Sequence, residues 1–542
     1  MNSVFHAFCA TAGRRPDAPF LCIPARAGRD YCPEGAEFSY SGIAQRAIAL
    51  AHVYAEAGFG HGHRVALLLE NRPEFFDHFL ALNSLGVSIV PVNPDYVHNE
   101  LVYQLDHSDA ALVVALSSRV DDMQKAAQES ALKPQVLDVT DAMTTMPKPV
   151  LPIPLEGSVG PQTECAMLYT SGTTGRPKGC ILSNYYFLNA GEWYLGMGGR
   201  AEMRPNEERV FNPLPLYHMN ALAVTGTGMM LSGGCLISPD RFHPSTWWRD
   251  VCDTNATVIH YLGVVPPLLL NLPPSDAEKT HKVRFGFGAG VDPKHHAAFE
   301  SRFGFPLVEV WGMTETGRVF GDVNEPRAVG SRAFGKPLVG LEARVVDRDD
   351  NDVSANEPGE LLVRYSEDNP RHGFFSGYFK NEEATEEAWR GGWFHTGDTV
   401  RQDEGGMLYF IDRTKNIIRR SGENIAAAEI EATLQVRDDV AQAAVISVPD
   451  DLREEEVFAC IVLSGAMAGT QEQAEVLFEH CIENLAYFKA PGYILFVETL
   501  PTTGTQKVQK TQLFAAGVDP RLEAGCIDLR DAKSQARKRQ AR

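Results

Sequence analysis

An alternation of short apolar segments with helical patterns, between residues 64 and 115, constrains the fold more than any other sequence feature. Arg64–Leu69, Val87–Val92 and Ala111–Ala115 are short and apolar, as expected of buried strands. Glu74–Leu85 places aromatic and aliphatic side chains at helical spacing, and 98–107 is a second helix-like stretch. Because strand–helix–strand units connect by right-handed crossovers, this pattern predicts a doubly wound parallel sheet.

Charge and composition exclude several function classes. The 542 residues are 44% hydrophobic and 22% charged, which is typical of a globular chain of several domains. Fifty basic against 70 acidic side chains give a net charge of −20, so no nucleic-acid partner is expected. Ten scattered cysteines form no C-x-x-C pair, which disfavours a zinc or redox motif. No apolar stretch is long enough to span a membrane and no signal peptide is recognised, so we expect a cytoplasmic location.

Beyond Gly359 the sequence pattern changes from alternating strands and helices to one typical of a smaller, antiparallel unit. Glu360–Arg364 and Met407–Ile411 read as strands of an antiparallel unit, and Ala443–Val448 with Val457–Leu463 follow a helix rich in alanine and glutamate. The basic C-terminal segment predicts a solvated, partly disordered tail. The predicted divisions are an N-terminal domain at 1–411, a hinge at 412–416, a C-terminal domain at 417–515 and a tail at 516–542.

The segment Met167–Gly179 has the composition of a phosphate-binding loop. Its glycines let backbone N–H groups converge on an anion, its hydroxyls donate hydrogen bonds, and Arg176 or Lys178 supplies positive charge. It is not a Walker A loop, because Lys178 is followed by glycine rather than serine or threonine. The predicted phosphate-binding residues are Thr170, Ser171, Gly172, Thr173, Thr174 and Lys178.

This loop resembles the signature loop of the adenylate-forming superfamily, which includes acyl-CoA synthetases, non-ribosomal adenylation domains and firefly luciferase. Further segments resemble the family's motifs in the family's order: Trp311–Glu315, Gly392–Asp398, Asp412–Ile418, Ser421–Ile425 and Leu500–Lys510. Trp311 stands where tyrosine is usual, and Gln506 where glycine is usual. The resemblance implies an α/β fold: a large N-terminal domain of doubly wound sheets with a β-barrel-like subdomain, and a small mobile α+β C-terminal domain.

The resemblance also assigns the adenosine site. Trp311 should stack on adenine opposite small residues, and Asp398 should accept from both ribose hydroxyls, a geometry that suits a carboxylate. Arg413 should assist Asp398. The implied adenosine-binding residues are Gly288, Ala289, Gly290, Trp311, Asp398 and Arg413.

The implied catalytic residues are Lys507, Glu315, Thr314 and His218. A carboxylate that attacks the α-phosphate of ATP faces like charge, and each such pair at about 4 Å costs roughly 4 kcal/mol at an effective dielectric of 20. By resemblance, Lys507 bridges the carboxylate and the α-phosphate, Glu315 ligates Mg²⁺, and Thr314 donates to phosphate. His218, in a segment similar to the family's Pro-Leu-x-His, should lie near the reacting carboxylate.

The resemblance also implies a hinge between the two domains and a tunnel for the thiol of coenzyme A. In the family the C-terminal domain rotates about a hinge that corresponds to Lys415, and the loop at Gly422 lines the pantetheine tunnel of coenzyme A. ATP, Mg²⁺ and coenzyme A are therefore the expected cofactors, a small carboxylic acid is the expected partner, and a homodimer is left open. Acyl-pocket candidates are Trp193, Met219, Asn220, Tyr261, Gly263, Gly290, Met313 and Arg318.

The predicted function is that of an ATP-dependent acyl-CoA ligase, an AMP-forming acid–thiol ligase acting on a small to medium carboxylic acid. The loops are similar to those of carnitine/crotonobetaine ligases and of medium-chain or aromatic acyl-CoA ligases. No acidic residue closely follows His218, which argues against amino-acid substrates. Two alternatives remain: an adenylating enzyme that loads a separate acyl carrier protein, and an oxidoreductase similar to luciferase.

Overall fold

The computed structural model describes the chain except residues 1, 152–156, 171–175, 414–416, 466–468, 502–507, 516 and 541–542, and except the side chains of 412, 413, 511 and 540. The strands are β1 Pro19–Ile23, β2 Ala36–Ser39, β3 Arg64–Leu68, β4 Ser88–Pro91, β5 Leu112–Ala115, β6 Gln135–Asp138, β7 Glu164–Thr170, β8 Lys178–Ser183, β9 Arg209–Phe211, β10 Cys235–Ile237, β11 Val258–Leu262, β12 Phe285–Ala289, β13 Leu307–Gly312, β14 Val319–Gly321, β15 Ala333–Gly335, β16 Glu342–Val346, β17 Pro358–Arg364, β18 Gly377–Tyr378, β19 Phe394–Gln402, β20 Leu408–Arg413, β21 Ile417–Arg420, β22 Glu423–Ala426, β23 Val440–Asp450, β24 Glu454–Leu463, β25 Tyr493–Phe496 and β26 Ile527–Asp528. The α-helices are α1 Val4–Arg14, α2 Tyr40–Ala57, α3 Pro73–Ser84, α4 His98–Ser108, α5 Val120–Glu129, α6 Asn184–Leu195, α7 Thr227–Ser232, α8 Trp247–Asp253, α9 Val265–Leu270, α10 Ala277–Thr280, α11 Pro293–Phe303, α12 Glu382–Ala388, α13 Ala427–Gln435, α14 Gln471–Asn484 and α15 Arg530–Gln540.

One sheet contains the first strand–helix–strand units that the sequence predicts. Its order is β18-β8-β7-β4-β3-β5-β6, and β3 pairs in parallel with both β4 and β5. Helix α3 connects β3 to β4 and begins with Pro73, whose fixed φ suits a first helical turn. Its phenylalanines at positions 75, 76 and 79 are buried, as the helical spacing predicts. The predicted strands and helix between residues 64 and 115 are therefore confirmed.

A second sheet has the order β14-β13-β12-β11-β9-β10-β1-β2. The six inner strands, β13, β12, β11, β9, β10 and β1, pair in parallel with their neighbours in this group. The two edge strands, β2 and β14, pair antiparallel with β1 and β13. Parallel neighbours end at the same edge of a sheet, so the carboxyl ends of β12 and β13 lie together. This places two of the predicted nucleotide-binding segments side by side.

A third sheet, β15-β20-β19-β17-β16, is antiparallel in the pairs β15–β20, β16–β17 and β17–β19. Strands β17 and β20 contain the two antiparallel strands that the sequence predicts beyond Gly359. Asp398 lies on β19, between β17 and β20. This sheet carries the predicted ribose-binding carboxylate.

The chain divides into two compact units, one of residues 1–94, 102–168 and 179–412 and the other of residues 95–101, 169–178 and 413–542. The second unit contains the sheet β22-β21-β24-β25-β26, in which β23 also pairs with β24. Its core includes Ile430, Val445, Ile461 and Leu477 from strands and helices alike. Within the described residues, no helix has the length and apolarity of a membrane span. The mixed α/β class, with a large N-terminal and a small C-terminal part, is confirmed, while the exact predicted domain boundaries stay predictions.

The C-terminal tail differs from its expectation. Where the sequence predicts a solvated, partly disordered segment, β26 pairs with β25 and α15 follows it. The reason lies in one face of α15: Lys533 and Ala536 are buried, and Ala532 packs against the core of the second unit. The basic composition gives no sign of this face, because Lys533 is buried in an ion pair with Glu456 rather than by apolar contacts.

Candidate active site

The predicted adenine loop lies at the carboxyl end of β12. Gly288 pairs with Glu309 of β13, and a Cβ added at Gly288 would overlap the carbonyl oxygen of Tyr261. Gly290 has φ +85°, a conformation that favours glycine. Only a glycine fits at position 288, which is buried against Tyr261, whereas Gly290 is exposed at the end of the loop. The contact of this loop with adenine stays a prediction.

A buried carboxyl group holds this loop in place. The backbone N–H groups of Gly290 and Val291 donate to the carboxylate of Glu309, and the Tyr261 hydroxyl donates to its Oε2 at 3.1 Å. Burial raises the pKa of Glu309 to about 7. Sequence reasoning missed Glu309, although a carboxylate inside the apolar run Leu307–Trp311 was a signal that could have found it.

The predicted adenine-stacking and ribose-binding residues touch each other. The indole Nε1 of Trp311 donates to Oδ2 of Asp398 at 2.8 Å, and both side chains are buried. Phe320 lies beside the indole at a centroid distance of 5.6 Å. The residues are 87 positions apart in the chain, so two motifs recognised separately form one structure. The tryptophan that replaces the family's tyrosine here supplies an N–H donor to the carboxylate.

Glu315 is held at the turn after β13. The Tyr378 hydroxyl donates to its Oε1 at 2.8 Å, and burial with the neighbouring Glu315 raises the pKa of Tyr378. The backbone carbonyl of Thr314 accepts from the Tyr186 hydroxyl at 2.6 Å. Among the described residues, no group of three or more His, Cys, Asp or Glu side chains gathers to hold a metal. A single buried carboxylate fits Mg²⁺, which takes one or two carboxylates and completes its shell with phosphates and water.

His218 is half-buried, with its ring packed on Tyr217 at a centroid distance of 4.5 Å. It lies just before the π-helical segment Asn220–Gly226. The acyl-pocket candidate Asn220 begins that segment, so the two residues predicted to meet the acid are brought to one turn of the chain. The structure therefore keeps His218 beside a candidate pocket residue, and its contact with a carboxylate stays a prediction.

Beneath this turn, a chain of hydrogen bonds fixes the orientation of the Asn220 amide. The backbone N–H of Leu214 donates to Asn212 Oδ1 at 3.0 Å, so the Asn212 Nδ2 is a donor and the Asn220 atom that it reaches at 3.0 Å is Oδ1. The same Oδ1 lies 2.8 Å from His260 Nδ1, which therefore carries the proton. The Tyr194 hydroxyl then donates to His260 Nε2 at 2.8 Å.

Burial lowers the pKa of His260 to about 3, so the imidazole is neutral and this tautomer holds. In this network the Oδ1 of Asn220 accepts two hydrogen bonds, and its Nδ2 donates none. Sequence reasoning named Asn220 and missed Asn212, Tyr194 and His260, since an isolated polar residue in an apolar segment gives no sign of its partners. This is the second buried polar arrangement that supports a predicted site residue.

Several predicted residues lie outside the described part of the chain: Ser171, Gly172, Thr173, Thr174, Lys415 and Lys507. Thr170 ends β7 and Lys178 begins β8, at the two sides of that loop. Arg413 ends β20, and its side chain is not described. Gly422, with φ +90°, follows Ser421 in the tight turn between β21 and β22. The roles of all these residues stay predictions.

Comparison with known proteins decides the family. The model of the family described as AMP-binding enzyme matches residues 8–379, and that of the AMP-binding enzyme C-terminal domain matches 429–507. The chain belongs to the AMP-binding enzyme family. Among the relatives of this AMP-binding enzyme, sulfoacetate–CoA ligase of Cupriavidus necator is 31% identical over 93% of this chain and 95% of its own.

Two further likenesses agree. Crotonobetaine/carnitine–CoA ligase of Proteus mirabilis is 28% identical over 88% of this chain and 93% of its own. The structure of o-succinylbenzoate CoA synthetase from Bacillus subtilis superposes with a TM-score of 0.79 at 24% identity, covering 95% of this chain and 98% of the other. The predicted adenylate-forming family and its fold class are therefore confirmed.

Proposed function

We propose that this AMP-binding enzyme is an ATP-dependent acyl-CoA ligase. It activates a small to medium carboxylic acid as an acyl-adenylate and then forms an acyl-CoA thioester, with release of pyrophosphate and AMP. The predicted enzyme class, an AMP-forming acid–thiol ligase, is confirmed by relatives that are named CoA ligases. Two of them are named for small acids, sulfoacetate and crotonobetaine or carnitine, which supports a small acid here.

The observation that carries the proposal is the bond between Trp311 Nε1 and Asp398 Oδ2. It joins the adenine motif to the ribose motif, and β13, which carries Trp311, pairs with the strand that ends in the glycine loop. A nucleoside needs a flat apolar face and a carboxylate a few ångströms away, and these residues supply both. Glu309 keeps the glycine loop in position for the ring.

For the first half-reaction, Glu315 supplies a hard oxygen ligand, and Mg²⁺, when bound there, would neutralise phosphate charge. Tyr378 holds the Glu315 carboxylate in one orientation. By resemblance Lys507 offsets repulsion between the acid and the α-phosphate, and the loop 170–178 binds the outer phosphates. We also propose a cytoplasmic location, and leave a homodimer as one possible assembly.

The division of labour is tested with Lys507→Ala. We expect loss of acid-dependent pyrophosphate release, with thioester formation from a supplied acyl-adenylate retained, because only the first step joins two anions. Lys510→Ala is the matched control: Lys510 lies three positions on and pairs with Glu431 at 2.6 Å, so adenylation should persist. Equal loss of both half-reactions in the Lys507 variant would refute the assignment.

The acceptor is tested separately. Pyrophosphate release is followed with a panel of acids, with and without coenzyme A, together with product analysis. We expect coenzyme A to be consumed and to accelerate turnover. Turnover to an oxidised product without coenzyme A would favour the luciferase-like alternative, and an adenylate that transfers only to a carrier-protein thiol would favour the carrier-loading one.

A further inference from the structure

The side chain of Arg318 is a buried cation that has no carboxylate partner in the described part of the chain. It is 1% exposed, and among the described residues no Asp or Glu lies within ion-pair distance of it. Its hydrogen bonds go to neutral oxygens: Nη1 donates to the carbonyl of His372 at 2.7 Å, and Nη2 donates to Asn189 Oδ1 at 3.0 Å. A guanidinium taken out of water in this way is unfavourable unless an anion compensates it.

Two buried donors beside this charge lack acceptors in the described structure. Arg318 Nε and Asn189 Nδ2 are both shielded from solvent and neither has a hydrogen-bond partner there. They are adjacent, because the other end of the Asn189 amide accepts from Arg318. Buried polar groups are nearly always satisfied, so neighbouring unsatisfied donors of one kind indicate a ligand that accepts. An anionic group with two or three oxygens answers that requirement.

The walls around the guanidinium are aromatic. Its Cζ lies 5.6 Å from the ring centroid of Trp193, 5.0 Å from that of Tyr365 and 5.7 Å from that of Phe374. Aromatic faces attract a cation, but they carry no net charge to neutralise it. Consistent with this, burial lowers the pKa of Arg318 to about 10, and the charges that oppose the shift are tyrosines rather than carboxylates.

The cluster lies close to the predicted reaction centre. Arg318 follows Glu315 by three residues, and Tyr186 of α6 bonds the carbonyl of Thr314 while Asn189 of the same helix bonds Arg318. On the outer side, the Tyr185 hydroxyl is hydrogen-bonded to His372 Nε2, and both residues are half-buried. Helix α6 therefore contacts both the turn that carries Glu315 and the Arg318 side chain.

We propose that Arg318, with Asn189, binds a second anionic group of the acid substrate, a carboxylate or a sulfonate, so that the enzyme selects small dianionic acids. This inference rests on the proposed ligase function. The guanidinium edge offers Nε–H and Nη–H in parallel, which matches two oxygens of such a group, and the Asn189 Nδ2 donates to a third position. The aromatic walls exclude water and strengthen the pairing.

The test compares acids that differ only at the far end: succinate against butyrate, and sulfoacetate against propionate. Acid-dependent pyrophosphate release is measured for the wild type, Arg318→Met, Arg318→Lys and Asn189→Leu. We expect the wild type to prefer the dianionic member of each pair. Since a charge-assisted hydrogen bond contributes enough for about a 10- to 150-fold effect, Arg318→Met should lose about that factor in kcat/KM for the dianions only. The succinate and sulfoacetate arms distinguish a carboxylate from a sulfonate ligand.

Arg318→Lys should restore part of the preference, because it keeps the charge and loses the fork. Asn189→Leu should weaken it with the guanidinium in place, and serves if Arg318→Met fails to fold. Equal losses for both members of a pair, or a wild type that prefers the monoacids, would overturn the inference and leave the ligase function intact. A wild type that releases pyrophosphate with no acid would overturn both.

Discussion

Two buried cationic sites, one in each compact unit, solve the same problem in opposite ways. In the second unit, Lys533 Nζ lies 2.6 Å from Glu456 Oε1 and Arg420 Nε lies 2.8 Å from Glu456 Oε2, with all three side chains buried. In the first unit, the described residues around Arg318 offer it neutral acceptors and aromatic rings and no carboxylate. The paired site is what stability requires of a buried charge; the other keeps a cation uncompensated, which is typical of a binding site.

The largest expected effect breaks the paired site. Glu456→Gln leaves Lys533 and Arg420 buried without a carboxylate, so we expect the second unit to lose about 3–5 kcal/mol of stability. Hydrogen exchange at the amides of β24, where Glu456 lies, measures this locally. Arg318→Met, which removes an uncompensated charge, should change the unfolding free energy of the first unit by much less, about 1 kcal/mol or below.

A double variant sharpens the result. Lys533→Met combined with Glu456→Gln removes one of the two stranded cations, so its loss should fall short of the sum of the two single losses. Additive losses would mean that Glu456 and Lys533 do not act as a pair, and an Arg318→Met loss as large as that of Glu456→Gln would erase the distinction between the two sites.

The next effect is a pH dependence of the paired site. Burial, with the charge of the neighbouring Arg420, lowers the pKa of Lys533 to about 7 from an ordinary 10.5. Between these values the unfolded chain binds more protons than the native one, so this lysine makes stability rise with pH, by up to about 1.4 kcal/mol per pH unit. The difference in stability between wild type and Lys533→Met, measured from pH 7 to 10, should show that slope; a flat difference would contradict it.

A neutral buried network gives a smaller effect. His260→Phe removes the partner of the Tyr194 hydroxyl and of Asn220 Oδ1, and leaving buried polar groups unsatisfied costs about 1–3 kcal/mol. Tyr194→Phe is the control, because it removes one bond and should cost about 1 kcal/mol. Urea unfolding followed by tryptophan fluorescence measures both. Burial lowers the pKa of His260 to about 3, whereas an unfolded histidine titrates near 6.5, so between these values the unfolded wild type binds more protons than the native one. The stability lost in His260→Phe should therefore be smaller at pH 6 than at pH 8, by about 0.8 kcal/mol, and an equal loss at both pH values would contradict a neutral native imidazole.

The sequence predicts strands and helices whose apolar residues recur at regular spacing, and it misses hydrogen bonds between residues that are far apart in the chain. Periodicity finds β3, α3 and β4, because burial on a helix face or in a parallel sheet imposes a spacing on apolar residues. Motif order finds Trp311 and Asp398 as separate residues. It cannot show that they bond, since two segments 87 positions apart meet only through the packing of two sheets.

The missed residues share one property: their role depends on a partner far along the chain. The Glu309 carboxylate accepts from the backbone N–H of Gly290, and Lys533 can be buried because it pairs with the buried carboxylate of Glu456. By composition alone a lysine in a basic tail is expected to be solvated, so the sequence predicts a solvated, partly disordered tail where α15 lies. The role proposed for Arg318 is missed for the opposite reason. It depends on the described residues around Arg318 including no carboxylate, and the sequence cannot show that.

The smallest effect concerns Asp398, a buried carboxylate that accepts from the neutral indole N–H of Trp311 at 2.8 Å. Trp311→Tyr keeps an aromatic face for adenine and removes this donor, so we expect KM for ATP to rise about two- to tenfold, the equivalent of about 0.5–1.5 kcal/mol. Trp311→Phe carries no donor at all, and we expect it to match the tyrosine variant in steady-state assays of pyrophosphate release. If the tyrosine variant were unchanged while the phenylalanine variant weakened, a hydroxyl would serve as well as the indole N–H. The tryptophan would then differ from tyrosine in packing alone, whereas matched losses would show that the indole N–H helps to hold the Asp398 carboxylate for ribose.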